Sequence, residues 1–221
     1  MVQVPWVFAR STKQKRTTLL VVALVVALGL IAWSTTWFDE DFENGSGGWF
    51  IGFDSAGGGN WQVVNGRYQV LMARDASLSQ SLSPRAEVII EPPYSVETVV
   101  RIQQGTPGEA GLVYRCNTVE GVEECRTFSV LADGSYRLGR ILRGRLETLP
   151  VTTAPHRLYT SRDNTLRIEA LGDTICFYGN GRLLATVTEE GVHPAGEVGL
   201  FARTETEAFF VARFDSITLE P

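Results

Sequence analysis

Lysine is missing from the chain beyond Lys15, and histidine occurs only at positions 156 and 193. The missing lysine reflects codon usage rather than chemistry, but the shortage of histidine has functional consequences. His156 and His193 each stand beside proline in a turn-like context, and no H-E-x-x-H pair or nucleophile elbow surrounds them. Metalloprotease and serine-hydrolase chemistry therefore have no footing in the sequence. Basic residues are also scarce outside the N-terminus. Four of the 20 are Arg10, Lys13, Lys15 and Arg16, so the rest of the chain sets 16 arginines against 25 acids, a net of −9. Such a balance excludes nucleic acid as a partner of that part. Finally, no stretch beyond residue 38 carries a useful helical period.

What is present begins with residues 17–38, TTLLVVALVVALGLIAWSTTWF, a run of 22 residues without a charge. At about 1.5 Å per residue a helix of this length reaches roughly 33 Å, enough to cross a bilayer's hydrocarbon core. The basic residues before it and Asp39, Glu40, Asp41 and Glu43 after it place the N-terminus in the cytoplasm, and Trp33 and Trp37 suit the outer interface. A cleaved signal peptide shares the basic flank and apolar run. The length of the run and the lack of an A-x-A site favour an uncleaved signal anchor. The expected organisation is a cytoplasmic basic tail (1–16), a transmembrane helix (17–38), a short acidic, Gly- and Ser-rich tether and domain entrance (39–48), and an extracytoplasmic domain (49–221). Lipid around the anchor is then one partner of the chain.

Past the tether come short runs rich in Val, Ile, Phe and Tyr, separated by turn dipeptides. Register tests the turns, because alternate strand residues share a face. A two-residue turn at Asn65-Gly66 pairs Val63 with Tyr68 and Trp61 with Val70. One at Asn180-Gly181 pairs Tyr178 with Leu183 and Cys176 with Ala185. At Asp133-Gly134 a two-residue turn would put Tyr136 and Leu138 on the wrong face. A bulged loop Ala132-Asp133-Gly134 instead pairs Val130 with Tyr136 and Phe128 with Leu138. Further strands are expected at 94–103, 110–116, 165–170, 197–203 and 209–219. So many strands require two antiparallel sheets. Trp49 and Trp61 are assigned to the core.

Cys116 and Cys125 bracket a short loop between apolar runs. An extracytoplasmic setting favours a disulfide between them over free thiols or half a metal site, since no second cysteine pair supports a metal. Cys176, in TICFY, reads as a buried free thiol. If Cys116 opposes Cys125, then Tyr114 opposes Thr127, Leu112 opposes Ser129, and the bulged turn brings Arg137 to that face. Tyr114, Thr127, Ser129 and Arg137 would there hold a sugar by stacking and hydrogen bonds; a half-solvated sheet is the competing reading. Arg115 and Arg126 would face each other on the opposite side, which is unfavourable unless acids intervene.

The runs DEDFENGSGGW, WQVVNGRYQV, GLVYR, FSVLADGSYRLGRI, NTLRIEALGDTICFYGNGRLLATV, GEVGLFAR and VARFDSITL, in that order, resemble the laminin-G/concanavalin A-like jelly-roll superfamily. Within it, they are similar to bacterial 3-keto-disaccharide hydrolase-like domains. The resemblance spans residues 39–220 and implies a two-sheet antiparallel jelly-roll sandwich following the single transmembrane helix, with first and last strands adjacent. That adjacency would bring Asp39, Asp41 and Asp215 together as candidate calcium ligands, against the plainer reading of solvated acids. The superfamily includes glycoside hydrolases, but the E-x-D-x-x-E strand of laminarinase-type enzymes is absent. Glu123 and Glu124 would point to opposite faces, and Glu205 and Glu207 read as solvated. The expectation is a non-catalytic binding module, possible ligands being glycans, with an accessory subunit of a membrane complex as the alternative and a sugar hydrolase as the weaker one.

Overall fold

The computed structural model describes residues 38–54, 58–72, 78–84, 90–103, 107–150, 156–192, 195–204 and 209–221. Every regular element among them is a strand. In chain order they are β1 (Phe38–Glu40), β2 (Gly52–Asp54), β3 (Gly59–Val64), β4 (Arg67–Met72), β5 (Ser79–Leu82), β6 (Tyr94–Ile102), β7 (Gly108–Val119) and β8 (Val122–Leu131). There follow β9 (Tyr136–Leu142), β10 (Arg145–Thr148), β11 (Asn164–Leu171), β12 (Thr174–Gly179), β13 (Arg182–Thr188), β14 (Glu197–Thr204) and β15 (Phe210–Glu220). A nine-stranded antiparallel sheet runs β13-β12-β11-β6-β15-β4-β3-β2, with β1 also paired to β15, and a six-stranded sheet runs β10-β9-β8-β7-β14-β5. Among the described residues no helix is long and apolar enough to cross a membrane. The span expected at 17–38 lies outside them except for Phe38.

Local chemistry explains the turns. Asn65 and Gly66 have φ of 51° and 70°, and Asn180 and Gly181 have 53° and 76°, the left-handed pair that a type I′ turn demands. Val63 pairs with Tyr68 and Trp61 with Val70, as alternation requires. Tyr178 likewise meets Leu183, but Phe177 meets Ala185 and Cys176 meets Thr186. The expected pairing of Cys176 with Ala185 fails because Leu184 is an extra residue in that strand. Cys176 is consequently half-exposed and not buried: Ile175 and Phe177 on either side of it point inward. The Ala132-Asp133-Gly134 loop forms as expected, with Val130 opposite Tyr136 and Phe128 opposite Leu138. Its Gly134 has φ of 82°, and an added Cβ would lie 2.6 Å from the Leu158 carbonyl oxygen.

The core fills the space between the sheets. Tyr68 stacks between Trp61 and Phe42, both at 5.0 Å, and Trp61 also stacks on Phe214. Phe177 packs edge-on against Phe128 and Tyr114. Each such ring removed from water contributes about 1.5–3 kcal/mol. Trp49 and Trp61 are buried as expected. The segment expected as a short tether and domain entrance is continuous with the sandwich. Residues 38–40 form β1, Phe38 pairing with Leu219 and Glu40 with Ile217, and Phe42 is completely buried. The acids and glycines of 39–48 look like a linker, but Phe42 among them, with Phe38 and Trp49 at either end, binds the segment into the sandwich.

Candidate ligand site at the bulged end of the sandwich

The site is built on an irregularity in β7. Tyr114 pairs with Arg126 and Asn117 with Glu124, so Arg115 and Cys116 together face the single residue Cys125. Arg115 absorbs the extra residue with φ of 50°, an uncommon conformation for a side chain of its size. Cys116 and Cys125 form the expected disulfide, Cα atoms 4.1 Å apart. Asn117 braces the bulge, its Nδ2 donating to the Ala195 and Arg115 carbonyls at 2.5 and 3.3 Å. Gly196, just before β14, lies so close that an added Cβ would be 2.6 Å from the Arg115 carbonyl carbon.

The bulge moves the register by one residue and divides the expected sugar face. Val113, not Tyr114, opposes Thr127, and Gly111, not Leu112, opposes Ser129. Tyr114 belongs to the core between the sheets and offers no ring to a ligand. Thr127, Ser129 and Arg137 do share the outer face of the six-stranded sheet, with Ser129 directly opposite Arg137. Thr127 and Ser129 are buried there. Ser129 donates to Glu109 Oε2 at 2.6 Å, while Arg137 and Arg203 bond Oε1 of the same buried carboxylate at 2.6 and 3.2 Å. Sequence reasoning had not singled out Glu109.

The acids expected to bind calcium do not converge. β1 lies against β15, so the adjacency itself is present, but each carboxylate has another partner. Asp39 accepts from Thr218 Oγ1 at 2.8 Å, Asp41 from the Glu43 amide at 3.0 Å, and Asp215 pairs with Arg67 Nε at 2.9 Å. Among the described residues no three metal-binding side chains come together. Glu123 and Glu124 diverge as alternation predicts, Glu123 accepting from Gln80 and Glu124 from Arg126. His156 touches Arg182 on the surface; His193, Glu205 and Glu207 lie outside the described residues.

Arg115 and Arg126 are reconciled by an acid from a distant loop. The buried Glu189 receives Arg115 Nη1 at 2.9 Å on Oε2, and Tyr114 Oη at 3.2 Å and Arg126 Nε at 3.4 Å on Oε1. Arg115 also donates to the Gly172 carbonyl, and Arg126 pairs with Glu124. Burial pushes the Tyr114 phenol well above its usual range, and the Glu189 charge pushes it further. Burial likewise raises Tyr94, with Arg115 opposing the shift. Both phenols therefore stay neutral. Arg115 Nε and Tyr94 Oη are both buried, and the Arg115 guanidinium acts on the Tyr94 phenol.

Beside this cluster opens a cavity of about 350 Å³. Arg115, Asn117, Glu124 and Arg126 supply its polar wall, and Val119 and Val192 its apolar one. Planar, fixed donors and acceptors beside an apolar wall are what a small polar ligand needs for orientation. Glu189 could not have been found from sequence, where Thr-Glu-Glu-Gly reads as a solvated turn.

The chain matches no protein-family model. No curated protein matches it by sequence. Solved structures do match. A carbohydrate-binding module from Bacillus subtilis superposes with a TM-score of 0.60 at 19% identity, over 79% of this chain and 96% of that one. A protein of unknown function with a galectin-like fold, also from Bacillus subtilis, gives 0.62 at 12% identity over 85% and 96%. The Bacillus licheniformis β-glucanase gives 0.58 at 10% identity over 85% and 99%. The fold is a concanavalin A-like jelly roll. That fold carries both a binding module and a hydrolase among these structures, so the role of this jelly roll has to be argued from its site.

Proposed function

We propose that the chain is a single-pass membrane protein, N-terminus cytoplasmic, whose extracytoplasmic jelly roll is a non-catalytic module that binds glycans in the cavity beside Arg126. The carrying observation is that cavity, set in a fold shared with a carbohydrate-binding module. A sugar hydroxyl both donates and accepts. The paired Arg126 and Glu124 present a donor and an acceptor side by side, and Asn117, whose Nδ2 is spent on the backbone, keeps its Oδ1 for a donor. Val119 and Val192 suit the C–H face of the ring. Glycoside hydrolysis needs two carboxyl groups flanking one bond. Glu124 is the only carboxylate lining the cavity among the described residues, and Glu189 is held by two arginines and a phenol, which supports binding without turnover. The anchor reading rests on residues 17–38.

The test is glycan-array binding by the full-length protein in detergent, beside an Arg126→Met variant whose melting temperature is measured in parallel. Binding by the parent, lost in a folded variant, supports the reading; a folded parent that binds no glycan refutes it. The accessory-subunit reading has its own support. Phe50, Ile51 and Phe53, consecutive or nearly so at the β2 edge of the larger sheet, are 46%, 50% and 62% exposed, a surface suited to protein contact. Co-purification of a stoichiometric partner that is lost in Phe53→Ser would favour it.

A further inference from the structure

Two arginines enter the cavity wall, and only one of the two acids that neutralise them is buried with them. The side chains of Arg115 and Arg126 are 0% and 9% exposed, and both lean on Glu189, which is 5% exposed. Glu124, the remaining partner of Arg126, is 34% exposed. The interior of the site thus holds two fixed cations and one fixed anion, and the balance is completed by a carboxylate at the rim. A rim side chain is free to rotate into water at little cost, because half-exposed ion pairs contribute only about 0.2–1 kcal/mol.

We infer that the cavity takes a sugar bearing a carboxylate, its acid group replacing Glu124 on the Arg126 guanidinium. The inference rests on the glycan reading above and names the class of glycan. A planar guanidinium receives a carboxylate through two parallel N–H bonds, which a neutral hydroxyl cannot match. The hydroxyls of the same ring meet Asn117 Oδ1, and a cavity of about 350 Å³ is of the size that holds one pyranose with its substituent. The acidity of the domain as a whole gives no long-range attraction for such a ligand. Selection must therefore come from the short bonds inside the cavity.

The experiment compares calorimetric titration of the full-length protein in detergent with two oligosaccharides of identical linkage, one ending in glucuronate and one in glucose, and repeats both on Glu124→Gln. The glucuronate ligand should bind about tenfold more tightly than its neutral twin, the difference one charge-assisted hydrogen bond supplies. Glu124→Gln removes the competing anion and should tighten glucuronate binding about two- to fivefold while leaving or weakening glucose binding. Equal affinity for the two ligands, or weaker glucuronate binding in Glu124→Gln, overturns the inference and leaves the glycan reading standing. Acetate competing as well as the glucuronate oligosaccharide also overturns it, since the site would then read an anion and no sugar. No binding of either oligosaccharide overturns both readings together.

Discussion

Replacing both Cys116 and Cys125 by alanine should lower the melting temperature by about 5–10 °C. The two sulfurs close a loop with a sequence separation of nine. In the chain-entropy account, opening a loop of this size releases about 2.6 kcal/mol of denatured-state entropy. For a domain of this length each kcal/mol moves the midpoint by about 2–4 °C. Alanine is the right replacement because both cysteines are buried, Cys125 completely, and a serine hydroxyl there would need a partner. The figure is an upper value, since β7 and β8 are already held together by their ladder. The assay is differential scanning calorimetry of the full chain, with and without a phosphine reductant. Reductant should lower the parent to the level of the double variant and leave the variant unmoved, because Cys176 is the only other thiol. A double variant that melts with the parent, or that reductant destabilises further, would refute the reasoning.

Glu189→Gln should cost about 3–5 kcal/mol, because it leaves Arg115 buried without a counter-ion and Arg126 with the rim Glu124 alone, and chemical denaturation would show it. Gly134→Ala should cost about 1–3 kcal/mol by forcing a side chain into φ of 82° against the Leu158 carbonyl; a calorimetric midpoint within 1 °C of the parent, roughly the precision of the method, would contradict this. Glu197 has its carboxyl raised from 4.5 by burial and by the Glu123 charge. The folded state therefore holds that proton more tightly than the unfolded chain, and stability falls as pH rises from about the unfolded value through the folded one. Glu197→Gln should flatten this segment of a melting-temperature profile and leave the acid side of it unchanged.

The turns were legible because their geometry demands particular residues: Asn-Gly twice for paired left-handed positions, and a single Gly for the Ala-Asp-Gly loop. The bulge in β7 was not. It places Arg115 at positive φ with neither glycine nor asparagine to mark it, and its cause is tertiary, in the brace from Asn117 and the close approach of Gly196. From that one extra residue followed the misplacement of Tyr114. The acidic entrance was legible only in part, since its composition suits a linker and the burial of Phe42 and Trp49 ties it to the sandwich. Glu189 could not be connected to the arginines at all, because it meets Arg115 across 74 residues of chain.

The place of β15 in the larger sheet has a consequence for biogenesis. The strand lies between β6 and β4 and also receives β1, so the last strand of the domain is a middle strand whose three partners are all synthesised before it. Until residues 210–220 leave the ribosome, β4 and β6 present open edges and β1 has nothing to pair with. A nascent or truncated chain ending before residue 210 leaves the larger sheet as two unsealed halves, prone to aggregation and proteolysis, and the emergence of β15 is the event that joins them.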